Sequence, residues 1–220
     1  MKNKHKYIAI EGNIGAGKTT LSQMLASDWD YRLVLEQFTD NPFLPLFYEN
    51  PERYAFQVEL FFMTERYKQL QAQFANQDIF QQNTIADYFF LKTLLFAKKN
   101  LFKEEYRLFQ SLFQTLNARF PKPDLLVYLH RPISALQDFI QQRGRSMEQQ
   151  IETAYLEKVQ AAYFEYFKTP PDCPILVLDI QAISFVEQEN TYQQIKEILE
   201  NAPKEHKVHY FTIEGLRMDL

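Results

Sequence analysis

The chain has 220 residues, 46% of them hydrophobic, with 24 Lys and Arg against 28 Asp and Glu, a net charge of −4. That is enough apolar material for one sizeable core, so residues 1–220 read as a single domain. The absence of a basic block, of any apolar run near the ~18 residues that span a bilayer, and of an apolar stretch after MKNKHK long enough for a signal peptide argues against nucleic-acid and membrane partners. Together with the lone Cys173, which can form no internal disulfide, this points to the cytoplasm.

Tyr7–Ile10 is a short apolar run, expected as a strand. It leads into Gly12-x-x-x-x-Gly17-Lys18-Thr19 and then an apolar helical pattern over Thr20–Ser27. A strand before and a helix after are the context in which this spacing makes a phosphate-binding loop. Candidate ligands to a nucleotide are Gly12, Asn13, Ile14, Gly15, Ala16, Gly17, Lys18, Thr19 and Thr20. Glycines let successive N–H groups point inward at phosphate oxygens, and the helix start adds its positive end. Lys18 supplies a cation for the β- and γ-phosphates, and Thr19 a hydroxyl for Mg²⁺. The plain alternative is a glycine-rich turn that binds nothing. Spacing, Lys-Thr and flanks all speak against it.

Tyr31–Leu35 is a second short strand, ending at Glu36. Asn41-Pro42 and Asn50-Pro51 mark turns around a short helix, LPLFY, and helical periodicity runs from Pro51 to about Phe74. Ile79-Phe80 and Thr84–Ala86 bracket a third strand, which ends at Asp87. Tyr88–Phe120 is helical and strongly apolar, with a break at Asn100-Leu101, and its surplus of apolar surface suggests helix packing between subunits. Leu125–Leu129 is a fourth strand, continuous and apolar as in a central parallel sheet. A helix over Ile133–Gln142 leads into Arg143-Gly144-Arg145-Ser146 and Glu148, followed by a long helix over Ile151–Phe167. Ile175–Leu178, ending at Asp179, is the fifth strand, and Tyr192–Leu199 the last helix. Pro203–Leu220 shows no pattern. Strands alternating with helices predict a doubly wound α/β fold with a five-stranded parallel sheet flanked by helices.

These motifs together resemble the deoxynucleoside kinases, over roughly Tyr7 to Phe167. The most specific parts are FYENPERY (Phe47–Tyr54) with Arg66 in register, and RGRSMEQQI (Arg143–Ile151). The resemblance implies a P-loop kinase fold with an Arg-rich lid at about 143–150. It implies transfer of the ATP γ-phosphate, with Mg²⁺, to the 5′-hydroxyl of a deoxynucleoside by a homodimer. Phosphoryl transfer needs positioned phosphates, a metal, an oriented nucleophile and cations on the equatorial oxygens. Lys18 and Thr19 supply the first two. Glu36 matches the family's base. Arg143 and Arg145 match its lid cations, with Arg143 also placed to lie against the adenine. Tyr48 and Glu148 match the pair on the sugar 3′-hydroxyl, and Glu59 and Arg66 fall at base-reading positions. The bland readings remain beside these: a solvated acid at a strand end for Glu36, an exposed basic turn for the two arginines, a core aromatic for Tyr48, a helix start for Glu148.

The sequence departs from the family in two places. The family has an acid followed by Arg-Ser after the third strand; here Thr84-Ile85-Ala86-Asp87-Tyr88 lacks that Arg. Asp87 in the acid's place would hold Mg²⁺ through water. In an ungapped register Ala86 falls at the acid and Asp87 at the Arg. In either case one cation beside the 5′-hydroxyl is missing and another group must cover it. The second departure is Glu59, where the family has a Gln that reads the base edge. A carboxylate only accepts hydrogen bonds, which suits the N1–H and 2-amino edge of guanine. The rival explanation is a swapped charge pair with Lys92, which replaces a family Asp. His130 and Cys173 read as structural, Asp179 borders a loop toward the ATP base, and Phe43, Phe89, Phe90 and Phe96 are candidate stacking rings that will mostly be core. The alternatives carried forward are a thymidylate-like nucleoside monophosphate kinase and a non-catalytic nucleotide-binding regulator.

Overall fold

A parallel strand buried on both faces must be apolar nearly throughout, and three stretches meet that condition: β1 (Tyr7–Gly12), Leu125–His130 and Ile175–Asp179. The structure is a computed structural model that describes residues 5–36, 41–74, 83–145, 148–149 and 151–213. In chain order β1 is followed by α1 (Lys18–Trp29), β2 (Arg32–Val34), α2 (Leu44–Glu49), α3 (Pro51–Phe74), β3 (Thr84–Ala86), α4 (Lys92–Asn100) and α5 (Lys103–Asn117). Then come β4 (Leu125–His130), α6 (Ile133–Arg143), α7 (Thr153–Tyr166), β5 (Ile175–Asp179), α8 (Glu189–Glu200) and β6 (Val208–Thr212). The long apolar region breaks at Leu101, as the sequence suggests. Ile79-Phe80, read as part of the third strand, lies outside the described residues.

The sheet has six strands rather than five, all parallel, in the order β2-β3-β1-β4-β5-β6. The added strand comes from the tail that showed no pattern. Val208–Thr212 is short, flanked by charge, and only half covered. Such an edge strand carries little periodic signal of its own and takes its form from the ladder to β5, from Ile175↔Val208 to Asp179↔Thr212. Two helix starts also shift: the long helix after the lid begins at Thr153 rather than Ile151, and the last helix at Glu189 rather than Tyr192.

Both faces of the sheet are packed. On one, Leu21, Leu25, Leu136, Ile140, Ile195 and Leu199 of α1, α6 and α8 close over Ile8, Ile10, Val127 and Leu178. On the other, Leu95 of α4 and Val159 and Tyr163 of α7 cover Ala9, Leu126, Tyr128 and Val177. The topology decides where chemistry collects. β3 lies between β1 and β2, with Ala9 opposite Ala86 and Ala86 opposite Val34. The carboxyl ends of three strands far apart in sequence therefore open side by side, which is where ligands sit in open α/β sheets. No helix among the described residues is long and apolar enough to cross a membrane.

Ile213, at 1% exposure, seals the end of the β6 ladder, where its N–H donates to the Asp179 carbonyl at 2.9 Å. Ile213→Ala is expected to lower stability by about 2–5 kcal/mol, read as a shift in the urea midpoint. A change below about 0.5 kcal/mol would show that β6 is not integral to the sheet.

Candidate active site

The loop between β1 and α1 is shaped by its glycines. Gly15 has φ 82° and Gly17 φ 92°, conformations that L side chains rarely adopt. A Cβ on Gly15 would stand 2.7 Å from the Leu136 carbonyl oxygen. The Asn13 side chain pins the loop from both ends, donating to the Leu156 carbonyl at 2.8 Å and accepting from the Ile14 N–H at 2.8 Å. Lys18 Nζ donates to the Asn13 carbonyl at 2.9 Å. Burial, with Lys92 nearby, brings the Lys18 ammonium down to about 8, while Glu11, Glu36 and Asp87 pull it upward. The loop thus bends tightly around one half-buried cation at the start of α1, and a glycine-bent backbone at a helix start is where phosphates bind.

Asp87 joins this loop to the next strand. Its Oδ2 accepts the Thr19 hydroxyl at 2.6 Å and its Oδ1 accepts the Glu36 N–H at 2.6 Å. A hydroxyl and a carboxylate in contact are hard oxygen donors that fit Mg²⁺, an ion that keeps several waters and takes few protein ligands. Among the described residues no cluster of three or more His, Cys, Asp or Glu side chains could cage a metal. The donor set therefore suits an ion held in part by phosphates. It also favours the register that puts Asp87 in the family acid's place.

Glu36 is gripped by two cations. Arg66 Nε donates to Oε1 and Lys92 Nζ to Oε2, each at 2.8 Å, with only 20% of the Glu36 side chain exposed. Burial alone would raise its pKa, but Lys92 and then Arg66 outweigh it and hold the carboxyl well below the usual carboxylate range. Arg66 also donates from Nη1 to Thr93 Oγ1 at 3.1 Å. The suggested swapped pair between Glu59 and Lys92 is not formed. Lys92 binds Glu36, and Glu59 accepts from Asn100 Nδ2 at 2.6 Å. Glu59 is 3% exposed, and burial pushes its carboxyl up to about 7 against the pull of Asn100 and Arg66.

At the lid, Glu148 faces both arginines, with Arg145 Nη1 at 3.1 Å from Oε1 and Arg143 Nη1 at 3.8 Å from Oε2. Arg143 is the last residue of α6, stopped by Gly144 at φ 70°. Burial lowers its pKa, while Glu148, and Asp87 more weakly, raise it. Ser146 lies outside the described residues, as does the side chain of Tyr48, whose backbone belongs to α2.

Several polar groups around the site were not singled out from the sequence. Glu11, 2% exposed on β1, accepts the Phe89 N–H at 2.6 Å and the Tyr163 hydroxyl at 2.8 Å. Burial raises its pKa against Lys92 and Lys18. Its signal was an acid in a run otherwise apolar. Arg131 donates to the Ala16 and Gln181 carbonyls at 3.2 and 3.0 Å, tying the phosphate loop to the segment after β5. His130 packs edge-on against Phe164, and burial pushes the Cys173 thiol up to about 11. Phe90 is core, stacked on Phe113. Asp179 accepts from the Gln181 N–H at 3.3 Å.

A family model described as deoxynucleoside kinase matches residues 8–202. The chain belongs to the deoxynucleoside kinase family. It is 35% identical over 200 residues to a deoxyguanosine kinase of Bacillus subtilis (strain 168), covering 88% of this chain and 95% of that one. It is 32% identical over 200 residues to a deoxyadenosine/deoxycytidine kinase of the same organism, covering 87% and 90%. Among solved structures, the deoxyadenosine kinase from M. mycoides with bound dCTP superposes with a TM-score of 0.72 at 25% identity, covering 89% of this chain and 99% of the other. The same enzyme with bound dATP gives 0.71 at 26%. The membership places this site in a kinase scaffold and argues against a non-catalytic regulator.

Glu59 gives a stability prediction. A carboxyl raised to about 7 in the folded state binds its proton more tightly folded than unfolded. Its contribution is complete below the unfolded value near 4.5 and is lost as pH rises through 7. The ligand-free protein should lose up to about 3 kcal/mol between pH 5 and pH 8 from this group, and Glu59→Gln should remove that slope in urea titrations. An unchanged slope in the variant would place Glu59 in a wetter environment.

Proposed function

We propose that this deoxynucleoside kinase family member transfers the γ-phosphoryl group of ATP to the 5′-hydroxyl of a deoxynucleoside, preferring purines, in nucleotide salvage. The observation that carries the reading is Asp87. By binding Thr19 and Glu36 at once, it sets the phosphate loop and an acceptor carboxylate at one mouth of the sheet. Glu36 accepts the hydrogen bond of the 5′-hydroxyl and turns its oxygen toward the phosphates. Held far down by Lys92 and Arg66, it is a weak base. That suits a loose transition state, in which orienting the nucleophile matters more than removing its proton early.

The other roles follow from position. Main-chain N–H groups of residues 12–20 and the Lys18 ammonium hold the phosphates. Thr19 and Asp87 would hold Mg²⁺, which supplies charge neutralisation on the phosphates. Arg143 and Arg145, half-exposed at the lid, approach the transferred group, with Arg143 toward the adenine. Tyr48 and Glu148 take the sugar 3′-hydroxyl, and Glu59 and Arg66 the base. The thymidylate-like alternative needs cations for a phosphate on the acceptor. Arg66 and Lys92, the cations at that end, are both engaged on Glu36, which favours a hydroxyl acceptor.

The base reading rests on Glu59. As a buried carboxylate it offers two adjacent acceptors to the N1–H and 2-amino groups of guanine, and when protonated it offers a donor and an acceptor, as adenine needs. The similarity to a deoxyguanosine kinase supports guanine. Transfer from ATP to the four deoxynucleosides and to their monophosphates tests the whole reading. Deoxynucleosides alone should be phosphorylated, and Glu36→Gln should lose about 10²–10⁴ in kcat. Transfer only to monophosphates overturns the reaction proposed. The deoxyguanosine-to-deoxyadenosine ratio of kcat/KM should rise between pH 6 and 8 as Glu59 ionises, and a strong preference for deoxyadenosine or deoxycytidine at pH 8 refutes the base reading. A cytoplasmic homodimer belongs to the same proposal. Phe102, Leu108 and Leu112 of the α5 region are exposed, and sedimentation should give twice the 26.3 kDa chain mass.

A further inference from the structure

We propose that Lys92 is the positioning residue for Glu36: its ammonium, seated on Oε2, holds the carboxylate in the orientation that meets the acceptor hydroxyl. This rests on Glu36 being the acceptor carboxylate, as proposed above. Glu36 stands two residues beyond the end of β2, past the last ladder pairing at Val34. Among the described residues its main chain is held by its N–H, which donates to Asp87. The ladder ends before it, so its side chain is aimed by its partners.

The partners are unequal. Arg66 is anchored independently on Thr93 and lies beside Glu59, so it serves the wall of the site as much as it serves Glu36. For Lys92, Glu36 is the hydrogen-bond partner. Lys92 opens α4, its side chain is 12% exposed, and the Phe96 ring lies 5.9 Å from its Nζ. It is also the cation that acts most strongly on Lys18 and on Glu11. It thus stands between the phosphate loop and the acceptor, in the part of the site where the sequence lacks an expected arginine. A carboxylate has about four lone-pair sites. Two are taken by Lys92 and Arg66, and the remaining ones can receive a hydroxyl without displacing either cation.

The test separates positioning from fold and from the identity of the acceptor. Among the described residues the charged and titratable groups that face Glu36 are Lys18 of α1, Arg66 of α3, Asp87 and Tyr88 after β3, Lys92 of α4 and Tyr163 of α7. Lys92→Met removes one of the two cations in contact. It should reduce kcat on the order of 10–100-fold and leave the KM for ATP within about two-fold. Lys92→Arg should restore kcat to within a few-fold of wild type. Should Lys92→Met fail to fold, Lys92→Gln is measured in its place. A kcat within two-fold of wild type overturns the proposal, as does a loss confined to KM or one that Lys92→Arg does not repair. If Glu36→Gln keeps full activity, the acceptor assignment fails. If Glu36→Gln is inactive while Lys92→Met is not, only the role of Lys92 fails.

Discussion

The bonds from Asp87 to Thr19 and to the Glu36 main chain set the dimensions of the site. One carboxylate reaches from the first turn of α1 to the segment after β2, because β3 lies between β1 and β2. A phosphate loop alone fixes where a nucleotide's phosphates go, but not where a second substrate meets them. That distance comes from the strand order and from a single residue just past Ala86, itself 4% exposed. Charged hydrogen bonds of this kind are stronger than neutral ones, the more so where water is excluded, so the link is stiff as well as short.

Placing several carboxylates there has a cost that the cations offset. Glu11, Glu36, Asp87 and Glu59 lie within one end of the fold, and an unpaired buried charge is strongly destabilising. Each is handled differently. Glu36 has two cations, Asp87 has two donors, and Glu11 has a main-chain N–H and a tyrosine hydroxyl. Among the described residues Glu59 has the Asn100 amide in contact, and burial drives it toward protonation against Asn100 and Arg66. Glu36 and Glu59 are thereby pushed apart in basicity, as divided roles in a site require. Glu36 stays ionised under all ordinary conditions, while Glu59 changes state near neutrality.

How much of this was legible follows from where each signal lives. The phosphate loop, the buried β1, β4 and β5 and the break at Leu101 are encoded locally, in spacing, apolar runs and periodicity, and the structure has them in place. β6 escaped because five half-covered residues form a strand only against β5. Glu36, Arg66 and Asp87 were visible as positions on a family pattern, but their mutual contacts depend on strand order, which local sequence does not carry. Lys92 was seen as a partner for the wrong acid. One turn of α4 can present its side chain to α3 or to the end of β2, and only the assembled fold settles it. Asn100 was taken for a helix break. It closes α4 and also delivers its amide to Glu59.

The two groups of ion pairs differ in what they permit. Arg143 and Arg145 are 36% and 42% exposed, whereas the Glu148 side chain they face is only 10% exposed. The arginine heads keep much of their water, but a buried carboxylate needs another donor wherever they leave it. The Lys92 and Arg66 contacts to Glu36 are mostly dry, and removing one partner from such a pair costs several kcal/mol. Arg143 and Arg145 are therefore the more exchangeable cations, provided Glu148 finds another donor, while Glu36 is fixed by two partners that are as dry as itself.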